Sequence, residues 1–279
     1  MSARTAVPAR EALEGARTAI AAGGSPSPRL DAELLLADAL GVTRERLVLE
    51  PGLPVAGAAV RRLQSHVRRR AIDREPLAYI VGRRGFRHVS LLVDARVLVP
   101  RPETELLVEV GLELSVGVRV LDCCTGSGAV ALALKDERAD LQVSGSDVSE
   151  DALAVARCNG ERLGLEVEWL AADLLDGLGG SWDAILANPP YVPTAVIGTL
   201  GPEIAHHEPR LALDGGDDGL EVVRRLVEQA ARTRAALFAL EIGAGQAQDV
   251  AAVLVAAGFG TIERRRDLAG LERVLVAVR

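Results

Sequence analysis

Aromatic side chains are almost missing from this chain. Phe, Trp and Tyr together make up 3% of its 279 residues, against 49% hydrophobic residues overall. The core must then be built mainly from Ala, Leu and Val, a composition common in α/β proteins. Cysteine is scarce as well, with only Cys123, Cys124 and Cys158. An odd number with two adjacent is no disulfide framework, and without a Cys-x-x-Cys pair or a His cluster no metal site is expected. This usage points to a reducing compartment, the cytoplasm. No apolar run reaches the roughly 18 residues of a membrane span, so no membrane partner is expected. The opening residues, Met1-Ser2-Ala3-Arg4-Thr5, show no apolar core of a secretory signal.

What the chain does have is charge, unevenly placed. Charged residues are 25% of the total, which argues against global disorder. Residues 1–95 hold 15 Arg against 10 acids, a net of +5, whereas residues 96–279 hold 17 basic against 29 acidic side chains, a net of −12. A basic front and an acidic back suggest two modules with different partners. There is no internal repeat and no low-complexity tract.

The front reads as a small helical bundle over residues 1–75. Leu13, Ala16 and Ile20 recur at helical spacing over 9–22, and Gly23-Gly24-Ser25-Pro26 stops that helix. Ser27-Pro28 opens a second, ended by Gly41, and a short turn follows near 43–49. A longer helix over about 55–73 aligns Val60, Leu63, Val67 and Ala71. Its other faces carry Arg61, Arg62, Arg68, Arg69 and Arg70, either a solvated face or a surface for an acidic partner. Residues 76–100, with period-two stretches among Phe86, Val89, Leu91, Val93, Val97 and Val99, read as a linking β-hairpin.

From about 118 strands and helices alternate. Strands fall at 118–122, 143–147, 167–171, 182–187 and 236–241, and a final pair at 258–265 and 273–278 closes as a hairpin. Helices fall at 129–136, 150–163, 219–233 and 246–256. The fold class is α/β: a doubly wound, mostly parallel seven-stranded sheet with a small N-terminal helical domain and a linking β-hairpin. Residues 200–219 form one long loop, a candidate lid.

Four features fall at strand C-terminal ends, where such sheets bind ligands. Asp122-Cys123-Cys124-Thr125-Gly126-Ser127-Gly128 ends the first strand, and its glycines let backbone approach a ligand and turn sharply into a helix. Asp147 ends the second and can accept hydrogen bonds from both hydroxyls of a ribose. Asp173 lies just past the third and can accept from an exocyclic adenine amine. Asn188-Pro189-Pro190-Tyr191 ends the fourth. Each Pro fixes its own φ and pushes the preceding residue into extended backbone, so the Asn188 amide is held at a fixed place. Tyr191 adds a flat wall, and the device grips a planar group bearing N–H donors. The glycine loop alone fits NAD as well as S-adenosylmethionine. The acids at 122 and 173 and the Asn-Pro-Pro-Tyr segment favour S-adenosylmethionine.

These segments resemble the S-adenosylmethionine-dependent amino-group methyltransferases. Four further segments narrow the resemblance: Arg74-Glu-Pro-Leu-Ala-Tyr-Ile-Val-Gly82, Val97-Leu-Val-Pro-Arg-Pro-Glu-Thr-Glu105, Glu208-Pro-Arg-Leu-Ala-Leu-Asp-Gly-Gly-Asp-Asp-Gly219 and Asp267-Leu-Ala-Gly-Leu-Glu-Arg-Val274. They are similar to the release-factor glutamine methyltransferases, the PrmC/HemK family.

The resemblance implies a methyltransferase domain over 101–279, and substrate recognition by the bundle. It implies cofactor contacts from Asp122, Cys124, Thr125, Gly126, Ser127, Gly128, Asp147, Asp173, Leu174 and Asn188. Asn188, Pro189 and Tyr191 would be catalytic, and Asn188, Pro189, Pro190 and Tyr191 would hold the substrate. The implied substrate is the glutamine of the Gly-Gly-Gln loop of a peptide chain release factor; a cytoplasmic enzyme with no direct nucleic-acid partner is expected, and the sequence leaves its oligomeric state open, with a monomer the default. Cys124 replaces a usual Gly, and Leu174 an aromatic; both departures are expected to weaken cofactor affinity. A ribosomal-protein glutamine methyltransferase, a nucleic-acid adenine methyltransferase and a non-catalytic binding module stay open. The net −12 of the back half speaks against the basic groove a base-flipping enzyme wants.

Overall fold

A computed structural model describes residues 6–179 and 181–279 of the chain; the first five residues, read above as free of a secretory signal, lie outside the described residues. The chain divides into two compact units, one made of the residues up to Gly82 with Gly201–His207, the other of Arg83–Leu200 with Glu208–Arg279.

The first unit is the expected bundle. Helices α1 (Ala9–Ala22), α2 (Pro28–Leu40) and α3 (Gly57–Ala71) enclose a core that includes Ala16, Ile20, Leu35, Leu36 and Leu63. Pro28 suits the first turn of α2, where its missing N–H costs nothing, and Gly41 ends it in left-handed backbone at φ +66°. The arginine run of α3 is split in its role. Arg61, Arg62 and Arg68 are exposed. Arg70 is buried, and its guanidinium bonds Asp31 at 2.6 Å and Glu203 at 2.6 Å. Arg74 also reaches Glu203, at 2.7 Å. A buried cation needs paired acceptors, and here a segment from far along the chain supplies one.

The unit runs on to Gly82 because Leu77–Val81 form a short helix, where a linking hairpin over 76–100 is expected from the sequence. Pro76 precedes that turn, Ile80 joins the bundle core, and Gly82 ends it at φ +76°. The hairpin itself is shorter, with strands Arg83–Phe86 and Val89–Leu92 paired antiparallel. Val93, Val97 and Val99 are buried without joining a strand.

The second unit holds the sheet. Its strands are β1 (Arg119–Cys123), β2 (Gln142–Asp147), β3 (Glu168–Ala171), β4 (Ala184–Ala187), β5 (Leu237–Glu241), β6 (Thr261–Arg266) and β7 (Glu272–Val278). They lie in the order β3-β2-β1-β4-β5-β7-β6. The first five run parallel, β7 lies antiparallel to β5, and β6 pairs antiparallel with β7 and so runs in the direction of the first five. Central strands are covered on both faces and so read as unbroken buried runs, as in Ala184–Ala187. Helices α4 (Glu105–Leu112), α5 (Ala129–Glu137), α6 (Glu150–Leu163), α7 (Glu221–Ala231) and α8 (Ala247–Ala256) complete the unit. The order in which strands are added reverses between β1 and β4, so a crevice opens beyond their C-terminal ends.

Candidate active site

The loop leaving β1 is built around Asp122. This carboxylate is 2% exposed and accepts from the Thr125 hydroxyl at 2.5 Å and the Ala131 N–H at 3.1 Å. Burial pushes its carboxyl up to about 7, against the Thr125 and Ala131 bonds, with Asp147 adding a smaller push. Asp122 therefore braces the loop onto the first turn of α5. Gly126 sits at φ +55°, and an added Cβ there would meet no atom within 4 Å. Gly128, at φ +81°, would drive a Cβ to 2.8 Å from Trp169. The first glycine keeps room for a ligand; the second lets the helix pack on the sheet.

Asp147 joins this loop to the next. Its Oδ2 accepts from the Gly126 N–H at 2.9 Å and its Oδ1 from the Ser149 N–H at 2.9 Å. Burial raises its carboxyl, opposed by those two amides and that of Val148. A carboxylate has about four acceptor positions, so with these amides bound capacity remains for a ligand hydroxyl. Asp173, past β3, is half exposed and accepts from Arg225 at 2.5 Å. Leu174, next to it, is buried at φ +59°.

The Cys123 and Cys124 sulfurs lie 4.0 Å apart as free thiols. The neighbouring thiol and burial hold the Cys124 thiol well above its usual range, so it stays neutral and serves packing.

Asn188-Pro189-Pro190-Tyr191 crosses the end of β4. Asn188 Nδ2 donates to Thr104 Oγ1 at 3.2 Å, and the Tyr191 hydroxyl donates to Glu241 at 3.1 Å. The Tyr191 carbonyl accepts from Gln246 at 3.0 Å. Val192 exchanges backbone bonds with Leu213 and Gly215, each 2.9 Å. The 208–219 half of the expected loop is thus stitched to this segment. Two single helical turns, Pro202–Ala205 and Arg210–Ala212, also fall within the loop.

One cleft gathers Asp122, Cys124, Thr125, Gly126, Ser127, Asp147, Asp173, Leu174, Asn188 and Pro190. Gly128, Pro189 and Tyr191 do not line it: Gly128 is packed under Trp169, Pro189 is buried, and the Tyr191 hydroxyl is spent on Glu241. The cleft adds residues the sequence left unmarked, among them Arg101, Thr104, Ser149 and Arg225. Arg101 is held by Glu208 at 2.6 Å, which ties the Arg-Pro-Glu-Thr-Glu segment to the Glu-Pro-Arg segment. S-adenosylmethionine suits the cleft on the open space at Gly126 and on the free acceptor capacity of Asp147.

This strand order, with a glycine turn after β1 and an acid ending β2, defines an α/β methyltransferase. Residues 11–82 match the PrmC N-terminal domain and residues 102–217 the methyltransferase small domain. The release factor glutamine methyltransferase of Caulobacter vibrioides is 41% identical over 277 residues, covering 96% of each chain. That of Deinococcus radiodurans is 42% identical over 275 residues, covering 97% of this chain and 98% of its own. Among solved structures, the hMettl16 catalytic domain in complex with MAT2A 3'UTR hairpin 6 shares the fold at a TM-score of 0.57 and 15% identity, covering 81% of this chain and 84% of its own. The chain belongs to the release factor glutamine methyltransferase family.

Proposed function

We propose that this enzyme methylates the side-chain amide nitrogen of the glutamine in the Gly-Gly-Gln loop of a peptide chain release factor. The methyl donor is S-adenosylmethionine, which supplies an electrophilic methyl group on a sulfonium. The observation that carries the reading is the Asn188 amide, anchored through Nδ2 to Thr104 at the lip of the cofactor cleft. Its Oδ1 is the acceptor suited to a substrate N–H.

An amide nitrogen is a poor nucleophile because its lone pair is delocalised into the carbonyl. Asn188 Oδ1 and the Pro189 carbonyl accept its two N–H bonds and hold the nitrogen in line with the methyl group. The same dipoles favour positive charge developing on nitrogen. With the donor bound, the nitrogen lone pair would form the new bond to carbon, the carbon–sulfur electrons would stay on sulfur, and the methylated nitrogen would lose a proton to water. Tyr191, fixed by Glu241 and Gln246, backs the amide plane. Asp147 would hold the ribose hydroxyls of the donor and Asp173 its adenine amine, and Leu174 would offer an apolar face to the base.

The helical unit recognises the release factor, with exposed Arg61, Arg62 and Arg68 offering cations to it. The enzyme works as a cytoplasmic monomer without contacting nucleic acid, in keeping with the net −12 of residues 96–279, where 17 basic side chains face 29 acidic ones. Among the described residues, no helix is long and apolar enough to cross a membrane.

The test is incubation with labelled S-adenosylmethionine and, separately, release factor, ribosomal protein, DNA and RNA. Label is expected on the release factor glutamine. Label on nucleic acid or ribosomal protein alone would sink the reading. Asn188→Ala is expected to abolish turnover while cofactor binding survives; lost binding with turnover kept at saturating cofactor would show the role misassigned.

A further inference from the structure

One buried amide ties the cofactor loop to the segment that follows the hairpin. Asn159 lies in the interior of α6 and is 0% exposed. Asparagine is a poor helix former because its amide competes with the backbone, so a place there needs compensation. Its partners supply it. Oδ1 accepts from the Leu92 N–H at 2.7 Å, and Nδ2 donates to the Leu92 carbonyl at 3.0 Å. Nδ2 donates its other proton to the Ser127 carbonyl, also at 3.0 Å. One N–H and two carbonyls fix which way this amide faces. Turned over, its oxygen would meet both carbonyls and its nitrogen the Leu92 N–H.

Both partners lead to the cleft. Ser127 belongs to the glycine loop after β1 and lines the cleft. Leu92 ends the second hairpin strand, and the chain leaving it lines the cleft with Arg96, Val97, Leu98 and Pro100. Val93 and Val97 are buried, and the Val97 N–H bonds the Asp94 carbonyl at 3.1 Å, so that stretch follows Leu92 with little slack. Helix α6 is tied to the site at its start as well, where the Ser149 N–H meets Asp147 at 2.9 Å. The helix is therefore a rigid spacer, with Asp147 at its first turn and the Asn159 clamp near its last.

We propose that Asn159 is a positioning residue for the cofactor. It holds the glycine loop and the 93–100 segment at one separation, so the cleft is shaped before S-adenosylmethionine enters. A site ordered in advance loses none of the binding free energy to ordering. The clamp also couples its two ends: what loosens Leu92 loosens Ser127, and a ligand seated on the loop tightens Leu92. Such coupling is reciprocal, with one factor read from either side. This rests on the reading of the cleft as the cofactor site, and not on the identity of the methyl acceptor.

The experiment compares wild type with Asn159→Leu, close in shape but without polar atoms, and with Asn159→Ala, in which water can reach the freed groups. The Kd for S-adenosylmethionine is measured by titration calorimetry on variants shown to be folded by circular dichroism. Amide exchange is followed at Leu92 with and without cofactor. The Gln142 amide, bonded to the Val118 carbonyl at 3.1 Å at the N-terminal end of β1 and β2, reports global opening. In wild type, cofactor is expected to slow Leu92 on the order of 10-fold more than Gln142. In whichever variant folds, Kd should rise by a similar factor, and Leu92 should exchange faster and respond to cofactor no more than Gln142 does. A purely structural asparagine would lower stability without that extra response. An unchanged Kd in a folded variant, or a Leu92 response in wild type no greater than that of Gln142, overturns the proposal. Should neither variant fold, the wild-type comparison decides alone. Wild type that fails to bind S-adenosylmethionine would defeat the cofactor reading itself, and the proposal with it.

Discussion

Cys124 and Leu174 share a backbone state: both line the cofactor cleft, and both hold left-handed backbone, at φ +60° and φ +59°. These are the two departures from the resembled pattern singled out in the sequence, which would place Gly at the first. An L-residue in this region costs roughly 1–2 kcal/mol relative to right-handed backbone. The departure at 124 is therefore a matter of chain conformation as well as of space for a ligand.

Cys124→Gly should remove that strain and lose part of the gain to the greater freedom of glycine in the unfolded chain. Its unfolding free energy is expected to match wild type or exceed it by up to about 1 kcal/mol. Cys123→Gly, in the fully buried end of β1, should cost about 2 kcal/mol or more. Denaturant unfolding of the two variants checks the contrast; equal losses would rule out backbone strain at 124.

Asp147 braces the loop and is also the proposed acceptor for the ribose hydroxyls. Asp147→Ala removes the acceptor for the Gly126 and Ser149 amides. Hydrogen bonds to a charged group are worth about 1.5–3 kcal/mol each, so cofactor Kd should rise on the order of 10²-fold or more. Titration calorimetry with S-adenosylmethionine measures it, and an unchanged Kd would exclude Asp147 from the cofactor site.

Asp122 makes stability depend on pH. Its carboxyl stands near 7 in the folded chain, against 3.8 ordinarily. Between those values the folded state binds a proton that the unfolded state has lost, so stability falls as pH rises through the window. One such group contributes at most about 1.4 kcal/mol per pH unit. Asp122→Asn should flatten the slope in urea unfolding. A remainder should persist, because Asp147, Glu208 and Glu241 are raised by burial too. An equal slope in the variant would place the proton elsewhere.

Arg70→Met leaves Asp31 and Glu203 without their shared cation. Breaking a buried pair this way costs about 3–5 kcal/mol. The expected result is early melting of the helical unit, with release-factor methylation lost and cofactor Kd kept. Loss of cofactor binding in step with methylation would mean the unit is only structural.

Much of this architecture is legible in the sequence because its signals are local. The Val120-Leu121 run, the glycines at 126 and 128, Asp147 at a strand end and the paired prolines at 189 and 190 each act through their immediate neighbours. Family resemblance, rather than spacing, names the substrate. Residues that act across the fold leave no such trace. Thr104 looks like part of a helix start, and Glu241 like an acid at the end of an apolar strand. Their meaning appears only when partners 84 and 50 positions away in the chain fold against them. Arg70 is hidden for the same reason: within the sequence it is one more arginine in a run. Leu77–Val81 fall within the segment read as a linking hairpin, because five apolar residues without a period fit either state.

The helical unit is discontinuous, and that has a consequence for how the protein is made. Arg70 waits for Glu203, 133 residues further on, before its second acid arrives. On a ribosome the N-terminal unit emerges first, yet it cannot complete its buried ion cluster until most of the sheet's strands have been translated. The two units are therefore coupled in the order of their completion. A cut after residue 75 would also strand Glu203, so it would not remove a self-contained module.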